Sequence, residues 1–170
     1  ILEEEGRSRI LIFVNRRTTA FDLVKGLTAN GYPTRALAGN VPQDRRLKIL
    51  TDFKEGRLAV LVATDVASRG LHIEGVSHVI NYDIPEAPED YVHRIGRTGR
   101  AGNKGKAITL FTIAEEHSMR SIERLTGERV ERVLLPDFGG HSSPAASAPG
   151  KKMGAPARKS FRSFGPRRGR

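Results

Sequence analysis

The 170-residue chain contains no cysteine, no tryptophan and no long apolar run. The lack of cysteine excludes disulfide bonds, thiolate zinc sites and a cysteine nucleophile, and it fits a reducing compartment such as the cytoplasm. The longest apolar runs, at residues 10–14 and 58–63, are far shorter than the ~20 residues of a membrane-spanning helix, so we expect no membrane partner. The chain starts at Ile1 without a signal-peptide pattern, and we expect it to be a fragment of a longer protein.

Positive charge is concentrated at the C-terminal end. The sequence has 29 Lys and Arg against 19 Asp and Glu, which gives a formal net charge of +10. Residues 139–170 hold eight of the basic residues and no acidic one, which leaves 21 against 19 in residues 1–138. Because residues 139–170 are rich in Gly, Pro and Ser and poor in apolar side chains, we predict a folded domain at 1–138 and a disordered basic tail at 139–170.

The composition of this tail is typical of a nucleic-acid tether. Its basic groups would displace counterions from phosphates, and its two phenylalanines would stack on bases. We therefore predict nucleic-acid contacts for five basic residues of the tail: Arg158, Lys159, Arg162, Arg167 and Arg168. The alternatives that composition leaves open are a tail that only keeps the protein in solution and a remnant of the expression vector.

The body of the chain alternates strand-like and helix-like segments. Short apolar runs predict strands at 9–14, 34–37, 58–63, 78–82 and 107–112. Helical spacing predicts helices at 18–30, 88–95 and 114–125, and another from Pro42 to the stop at Gly56, with Leu47, Leu50 and Phe53 as its apolar stripe. This alternation predicts an α/β fold with a mainly parallel sheet flanked by helices on both faces. In such folds, ligands lie beyond the carboxyl ends of the strands.

Three arginines recur at three-residue spacing with glycines between them: Arg94, Arg97 and Arg100. The glycines predict a turn beyond a short helix, in which the backbone can approach a polyanion closely. Guanidinium groups bind phosphate oxygens in pairs, so the segment is a candidate phosphate site. The alternative is a surface helix whose arginines pair with nearby acids, and spacing alone favours neither. These acids are Glu86, Glu89 and Asp90.

Two further loops follow predicted strands. Gln43 and Arg46 lie at the start of a helix, where the backbone favours anions, although Asp44 could balance Arg46 on a solvated face. Thr64 and Asp65 follow the third strand and could bind a ligand or cap the short helical turn after them. No histidines and acids have the spacing of a metal site, so we predict no metal ligand.

Together these segments resemble the second RecA-like domain of a bacterial DEAD-box RNA helicase. Residues 10–15 are similar to helicase motif IV, and residues 43–46 to motif IVa. Residues 63–70 (Ala-Thr-Asp-Val-Ala-Ser-Arg-Gly) are similar to motif V, and residues 93–100 (His-Arg-Ile-Gly-Arg-Thr-Gly-Arg) reproduce motif VI in full. The resemblance covers residues 1–135 and implies a three-layer RecA-like fold that forms half of an ATP-dependent RNA helicase.

The resemblance also implies roles for the matching residues. Arg97 and Arg100 would reach the γ-phosphate of ATP bound to the partner domain, where an inserted arginine stabilises the transferring phosphoryl group. The residues implied in nucleotide binding, or in coupling ATP to domain closure, are Asp65, Arg69, His72, His93 and Arg94. The residues implied in gripping the RNA backbone are Gly39, Gln43, Arg46, Thr64 and Gly70.

Two positions differ from the family's pattern. His72 stands where motif V commonly has an aspartate that contacts the ATP ribose, and Gly39 lies in Ala-Gly-Asn where the family often has His-Gly-Asp. The form Arg-Gly-Leu-His-Ile at 69–73, together with a basic tail, is similar to a bacterial subgroup associated with RNA-degradation assemblies. A ribonuclease or a ribosomal protein is therefore a candidate partner, besides RNA.

The chain lacks the Gly-x-x-x-x-Gly-Lys-Ser/Thr phosphate loop and the Asp-Glu-Ala-Asp box. In the family these belong to the N-terminal RecA-like domain, which would hold most of the contacts to ATP and Mg²⁺. We therefore expect this chain to need that domain as its partner and to be inactive in ATP hydrolysis alone. One alternative is a non-catalytic RNA-binding or annealing adaptor. The other is a DNA helicase of the same superfamily, which the DEAD-box forms of motifs V and VI disfavour.

Overall fold

The computed structural model describes residue 2 and residues 9–71, 73, 75–99 and 105–135. These residues fall within one unit, Ile1–Gly140. The predicted tail lies outside the described residues, and its boundary at 138 stays a prediction. No helix in the described part of the chain combines the length and the apolar character needed to cross a membrane.

A five-stranded, all-parallel sheet forms the centre of the domain. Its strands are β1 (Ile10–Val14), β2 (Thr34–Leu37), β3 (Val60–Thr64), β4 (His78–Asn81) and β5 (Lys106–Thr109), in the order β2-β3-β1-β4-β5. Strands β1 and β3 are buried along their whole length, as expected for parallel strands covered on both faces. Val14 lies beside Thr64 and Phe13 beside Asn81, so the carboxyl ends of β1, β3 and β4 meet at one edge.

Helices cover both faces of this sheet. They are α1 (Arg17–Ala29), α2 (Gln43–Lys54), α3 (Asp65–Ser68), α4 (Pro88–Ile95) and α5 (Glu116–Thr126), the last preceded by a 3₁₀ turn at Ile113–Glu115. Alternate residues of β1 point to opposite faces. Leu11 and Phe13 pack with Phe53 of α2 in one cluster, whereas Ile12 packs with Val24 of α1 in another. These layers confirm the predicted three-layer α/β fold.

A smaller apolar cluster joins α4 to α5. Ile84 and Tyr91 pack there against Met119 and Ile122, all of them at most 6% exposed. Helix α5 is followed by Gly127, which has a left-handed backbone (φ 73°) that favours glycine. The cluster fixes α4, the helix that precedes the arginine-rich turn.

The segment after α5 folds back onto that helix through one carboxylate. Glu123 accepts hydrogen bonds from the Arg132 guanidinium and from the Val130 backbone N–H. These bonds, that of Arg132 foremost, lower the pKa of Glu123 from 4.5 to about 2. The same pairing raises the pKa of Arg132, whose guanidinium also lies 5.9 Å from the centre of the Phe111 ring.

Two details of the predicted helices are wrong. Pro42 is not the first residue of α2 but precedes it with an extended backbone (ψ 149°), and its carbonyl accepts the first helical hydrogen bond from Arg46. Leu47 is not part of the buried stripe, because it is 57% exposed. Ile49 packs on the core instead, together with the predicted residues. The strand predicted at 58–63 runs from Val60 to Thr64, and the one predicted at 107–112 from Lys106 to Thr109.

Candidate functional site

Polar groups at the carboxyl edge of the sheet converge on Arg94, which lies in α4 and is 1% exposed. Its Nε and Nη2 donate to the two carboxylate oxygens of Asp65 at 2.8 and 2.6 Å. Nη2 also donates to Asn15 Oδ1 at 2.8 Å. Nη1 donates to the Asp83 carbonyl at 2.7 Å and, at 3.4 Å, to Asn81 Oδ1. These contacts use all five N–H groups of the guanidinium.

This arrangement makes Arg94 a link between three loops. Its partners lie at the ends of β1, β3 and β4 or within two residues after them, and its guanidinium carbon lies 5.2 Å from the centre of the Phe13 ring. A buried guanidinium is stable only with such complete pairing, because desolvating an unpaired charge costs several kcal/mol. With every N–H occupied, Arg94 has none left for a phosphate oxygen. Its geometry therefore favours the coupling role that the family resemblance implies over direct contact with a nucleotide.

The arginine-rich segment does not form one helical face. Helix α4 ends at Ile95, and the chain turns through Gly96 to Gly99, whose φ is 71°. Arg94 thus lies inside the domain, while Arg97 lies in the turn, where its Nη1 donates to the Leu71 carbonyl at 3.2 Å. The predicted turn beyond a short helix is confirmed. The alternative, a surface helix whose arginines pair with the acids at 86–90, does not describe Arg94 or Arg97.

A shallow concavity of about 260 Å³ opens beside this turn. It brings together six of the predicted nucleotide and RNA residues: Asp65, Arg69, Gly70, His93, Arg94 and Arg97. Asp90 also lines it, and its Oδ1 pairs with Arg69 at 3.0 Å. The Nδ1 atom of His93 lies 3.8 Å from the same oxygen, and the His93 side chain is 73% exposed. Of the arginines in this concavity, Arg97 is the one that no carboxylate pairs with among the described residues.

Four other predicted RNA residues lie at or after the ends of β2 and β3: Gly39, Gln43, Arg46 and Thr64. These neighbouring strands end in register, so the loop with Gly39 lies next to the segment that begins at Thr64. Gly39 and Gln43 are exposed, whereas Thr64 is 8% exposed. Arg46 Nη2 donates to the Ala67 carbonyl at 2.7 Å and so joins the first turn of α2 to α3.

Two of the non-ligand alternatives for these loops do not match the contacts of the described residues. Arg46 binds a backbone carbonyl of α3, and no ion pair with Asp44 is formed among the described residues. Thr64 occupies the position before α3, but its side chain makes no capping hydrogen bond. Asp65 is held by Arg94 instead.

Three residues of the Arg94 network were not predicted as site residues: Asn15, Asn81 and Asp83. All three lie at the end of a buried strand or within two residues of it. The rule that ligands and polar groups gather beyond the carboxyl ends of parallel strands could have identified them.

Several predicted residues lie outside the described part of the chain: His72, Arg100, Arg158, Lys159, Arg162, Arg167 and Arg168. Within the described part, no three His, Asp or Glu side chains come close enough to hold a metal ion. These described residues therefore offer no such cluster for Mg²⁺, and we assign no step to a metal here.

Comparison with known proteins defines the class. Residues 1–102 match the family described as helicase conserved C-terminal domain, and the chain belongs to this family. Its relatives include bacterial DEAD-box RNA helicases, which confirms the family resemblance. The chain is 50% identical over 130 residues to the ATP-dependent RNA helicase RhlB of Hamiltonella defensa, covering 76% of the chain and 31% of the relative. To the DEAD-box ATP-dependent RNA helicase CshA of Geobacillus kaustophilus it is 44% identical over 136 residues, covering 80% and 29%.

A solved structure supports the same assignment. The E. coli DEAD-box protein SrmB, in a complex with the regulator of ribonuclease activity A, matches with a TM-score of 0.73 and 36% identity over 79% of each chain. The chain spans about a third of the length of the curated relatives that it matches. It is therefore similar to their helicase C-terminal domain, and not to their whole length.

Proposed function

We propose that this domain is the C-terminal half of an ATP-dependent RNA helicase of the cytoplasm. It supplies Arg97, together with Arg100, to ATP held mainly by an N-terminal RecA-like domain with its Mg²⁺. The observation that carries this proposal is the position of Arg97 in a concavity at the carboxyl edge of the sheet, without a carboxylate partner among the described residues. Among the described residues, its guanidinium donates to one backbone carbonyl, that of Leu71, which leaves N–H groups for an anion.

The proposed role of Arg97 is to stabilise negative charge. Phosphoryl transfer spreads negative charge over the oxygens of the transferred group, and a guanidinium placed there stabilises that charge without taking a proton. His93 is exposed at the mouth of the same concavity, and Arg69 is fixed there by Asp90. We assign nucleotide binding to these two residues and the coupling of the loops to Asp65 and Arg94.

RNA contact is proposed for the neighbouring loops at the ends of β2 and β3. Gly39 and Gln43 are exposed there, and Arg46 holds α2 against α3, which leads to Gly70. Contacts of this type go to the sugar-phosphate backbone and carry little sequence information, so this half of the enzyme should bind RNA largely without sequence preference. By the same electrostatic reasoning, the basic tail adds affinity that falls as salt rises.

The partner proposals follow from the relatives. SrmB was solved with a regulator of ribonuclease activity. For the present protein we propose a ribonuclease or a ribosomal partner. The adaptor alternative is less well supported, because the relatives named above are ATP-dependent helicases.

The deciding experiment is the substitution Arg97→Ala in the full-length enzyme. We expect RNA-stimulated ATP turnover to fall by about 10³–10⁵-fold, the range for an arginine that stabilises phosphoryl transfer. RNA affinity should stay close to that of the wild type, since Arg97 is not among the RNA residues. The matched control is Arg120→Ala, which removes an arginine that is 71% exposed on α5. Turnover near the wild-type rate in the Arg97→Ala enzyme would show that the assigned role is wrong.

A further inference from the structure

The turn that carries Arg97 is attached to the segment before β4. The Val76 backbone N–H donates to the Arg97 carbonyl at 3.3 Å, and Val76 forms an isolated parallel bridge with Thr98. The Thr98 hydroxyl donates to the Val76 carbonyl at 2.6 Å and lies 3.2 Å from the Ser77 carbonyl. A hydroxyl has one proton to donate, so the shorter contact is the main bond. Thr98 thus uses its hydroxyl to hold the backbone and not to contact a ligand.

Gly105 lies directly against this turn. A Cβ atom at this position would overlap the Thr98 hydroxyl and the Gly99 backbone nitrogen, and it would lie 2.8 Å from Thr98 Cβ. Ordinary carbon contacts are about 3.5–4.0 Å. Gly105 cannot easily move away, because the next backbone N–H, of Lys106, donates to the Ser77 carbonyl at 3.0 Å and starts β5. Any side chain at 105 must therefore displace the turn.

We infer that Thr98 and Gly105 are positioning residues for Arg97. This inference rests on the proposed function, in which Arg97 acts on ATP. The Val76 N–H binds the Arg97 carbonyl, and the Leu71 carbonyl accepts a hydrogen bond from the Arg97 guanidinium. The position of the guanidinium therefore depends on both the backbone contact and the side-chain contact. Thr98 holds that backbone through its hydrogen bond to Val76, and Gly105 leaves the space that the Thr98 side chain and the Gly99 backbone occupy. Stabilisation of phosphoryl transfer depends on tight placement, and an error of about 1 Å can cost roughly 10²-fold in rate.

The test uses three variants of the full-length enzyme. Thr98→Val removes the donated hydrogen bond at nearly constant size, Thr98→Ser keeps the hydroxyl, and Gly105→Ala adds the overlapping methyl group. The matched control is Gly26→Ala, because a Cβ at this position in α1 would meet nothing within 4 Å. We expect Thr98→Val and Gly105→Ala to lower kcat of the RNA-stimulated ATPase by about 10–100-fold, with KM for ATP and Kd for RNA within about twofold.

Thr98→Ser should recover most of kcat, and Gly26→Ala should leave it unchanged. Circular dichroism melting of each variant, with kinetics well below its Tm, keeps a folding defect separate from a positioning defect. A normal kcat for Thr98→Val and Gly105→Ala, with Arg97→Ala inactive, would overturn the inference and leave the proposed function in place. Equal impairment of Thr98→Ser and Thr98→Val would also overturn it. Normal turnover of Arg97→Ala would instead refute the proposed function.

Discussion

The replacement Arg94→Met tests whether one buried guanidinium holds the three loops at the edge of the sheet. Methionine has a similar length but no donor. It would leave the Asp65 carboxylate, the Asn15 and Asn81 side-chain oxygens and the Asp83 carbonyl without the bonds that Arg94 gives them. Breaking a buried ion pair by removing one partner costs about 3–5 kcal/mol. We expect a loss in that range, since Arg94 is 1% exposed and Asp65 is 22% exposed.

Such a loss is a large part of the stability of a domain, which is typically about 5–15 kcal/mol. It corresponds to a fall in Tm of about 10–20 °C for a folded body of this size. Because the chain has no tryptophan, unfolding in urea is followed by circular dichroism at the helix band. Arg94→Lys keeps the charge but presents its donors from one atom, so it should lose less stability than Arg94→Met. It takes the place of Arg94→Met in the experiment if that variant does not fold.

The matched control is Arg120→Met. Arg120 is 71% exposed and contacts Glu116 at 3.2 Å, so its replacement should change the free energy of unfolding by no more than about 0.5 kcal/mol. The variants Arg94→Met, Asp65→Asn and their combination form a double-mutant cycle that measures the coupling between the two residues. A loss below about 1 kcal/mol for Arg94→Met, or one equal to that of Arg120→Met, would refute the reasoning.

Two further predictions concern stability alone. Glu123→Gln should lower the free energy of unfolding by about 1–3 kcal/mol at neutral pH, because the folded-state pKa of Glu123 is lowered to about 2. That contribution is complete above pH 4.5 and is lost as the pH falls towards 2. The free energies of unfolding of wild type and variant, measured in urea at pH 7, 4 and 3, should therefore converge as the pH falls. A difference that stays constant with pH would contradict the prediction. Gly127→Ala should lower the free energy of unfolding by about 1–2 kcal/mol, since the φ of Gly127 is 73°. Gly26→Ala, in the open space on α1, should leave the free energy of unfolding unchanged or raise it slightly. Equal shifts in Tm for the two variants would argue against this reasoning.

Most of the fold could be predicted from the sequence because its central strands are covered on both faces. The apolar runs that became β1 and β3 have no polar alternation, and a parallel sheet with helices on both faces is the architecture that needs such strands. The error at Leu47 has a local cause. Arg46 faces α3 and binds its backbone, and the surface of α2 that packs on the sheet is centred on Leu50 and Phe53. Spacing alone could not set that rotation.

The burial of Arg94 could not be predicted from its spacing with Arg97. A helical spacing places both on one face only if the helix continues, and α4 ends between them. The carboxylate that neutralises Arg94 is 29 residues away in sequence, at Asp65, and becomes a neighbour only because β1, β3 and β4 end at the same edge. The relevant signal was the set of polar residues after the strands, which includes Asn15 and Asp83.

Helix α3 is a single turn of four residues, and it is held from two sides. Arg46 binds its backbone from the side of the loops proposed to hold RNA, and Arg94 binds its first residue from the side of the concavity proposed to hold the nucleotide. If RNA or ATP moved this turn, the movement would be passed to the other ligand's site through only two contacts, those of Arg46 and Arg94 with α3. Communication between RNA and ATP within this domain would need no long pathway and no change in the sheet.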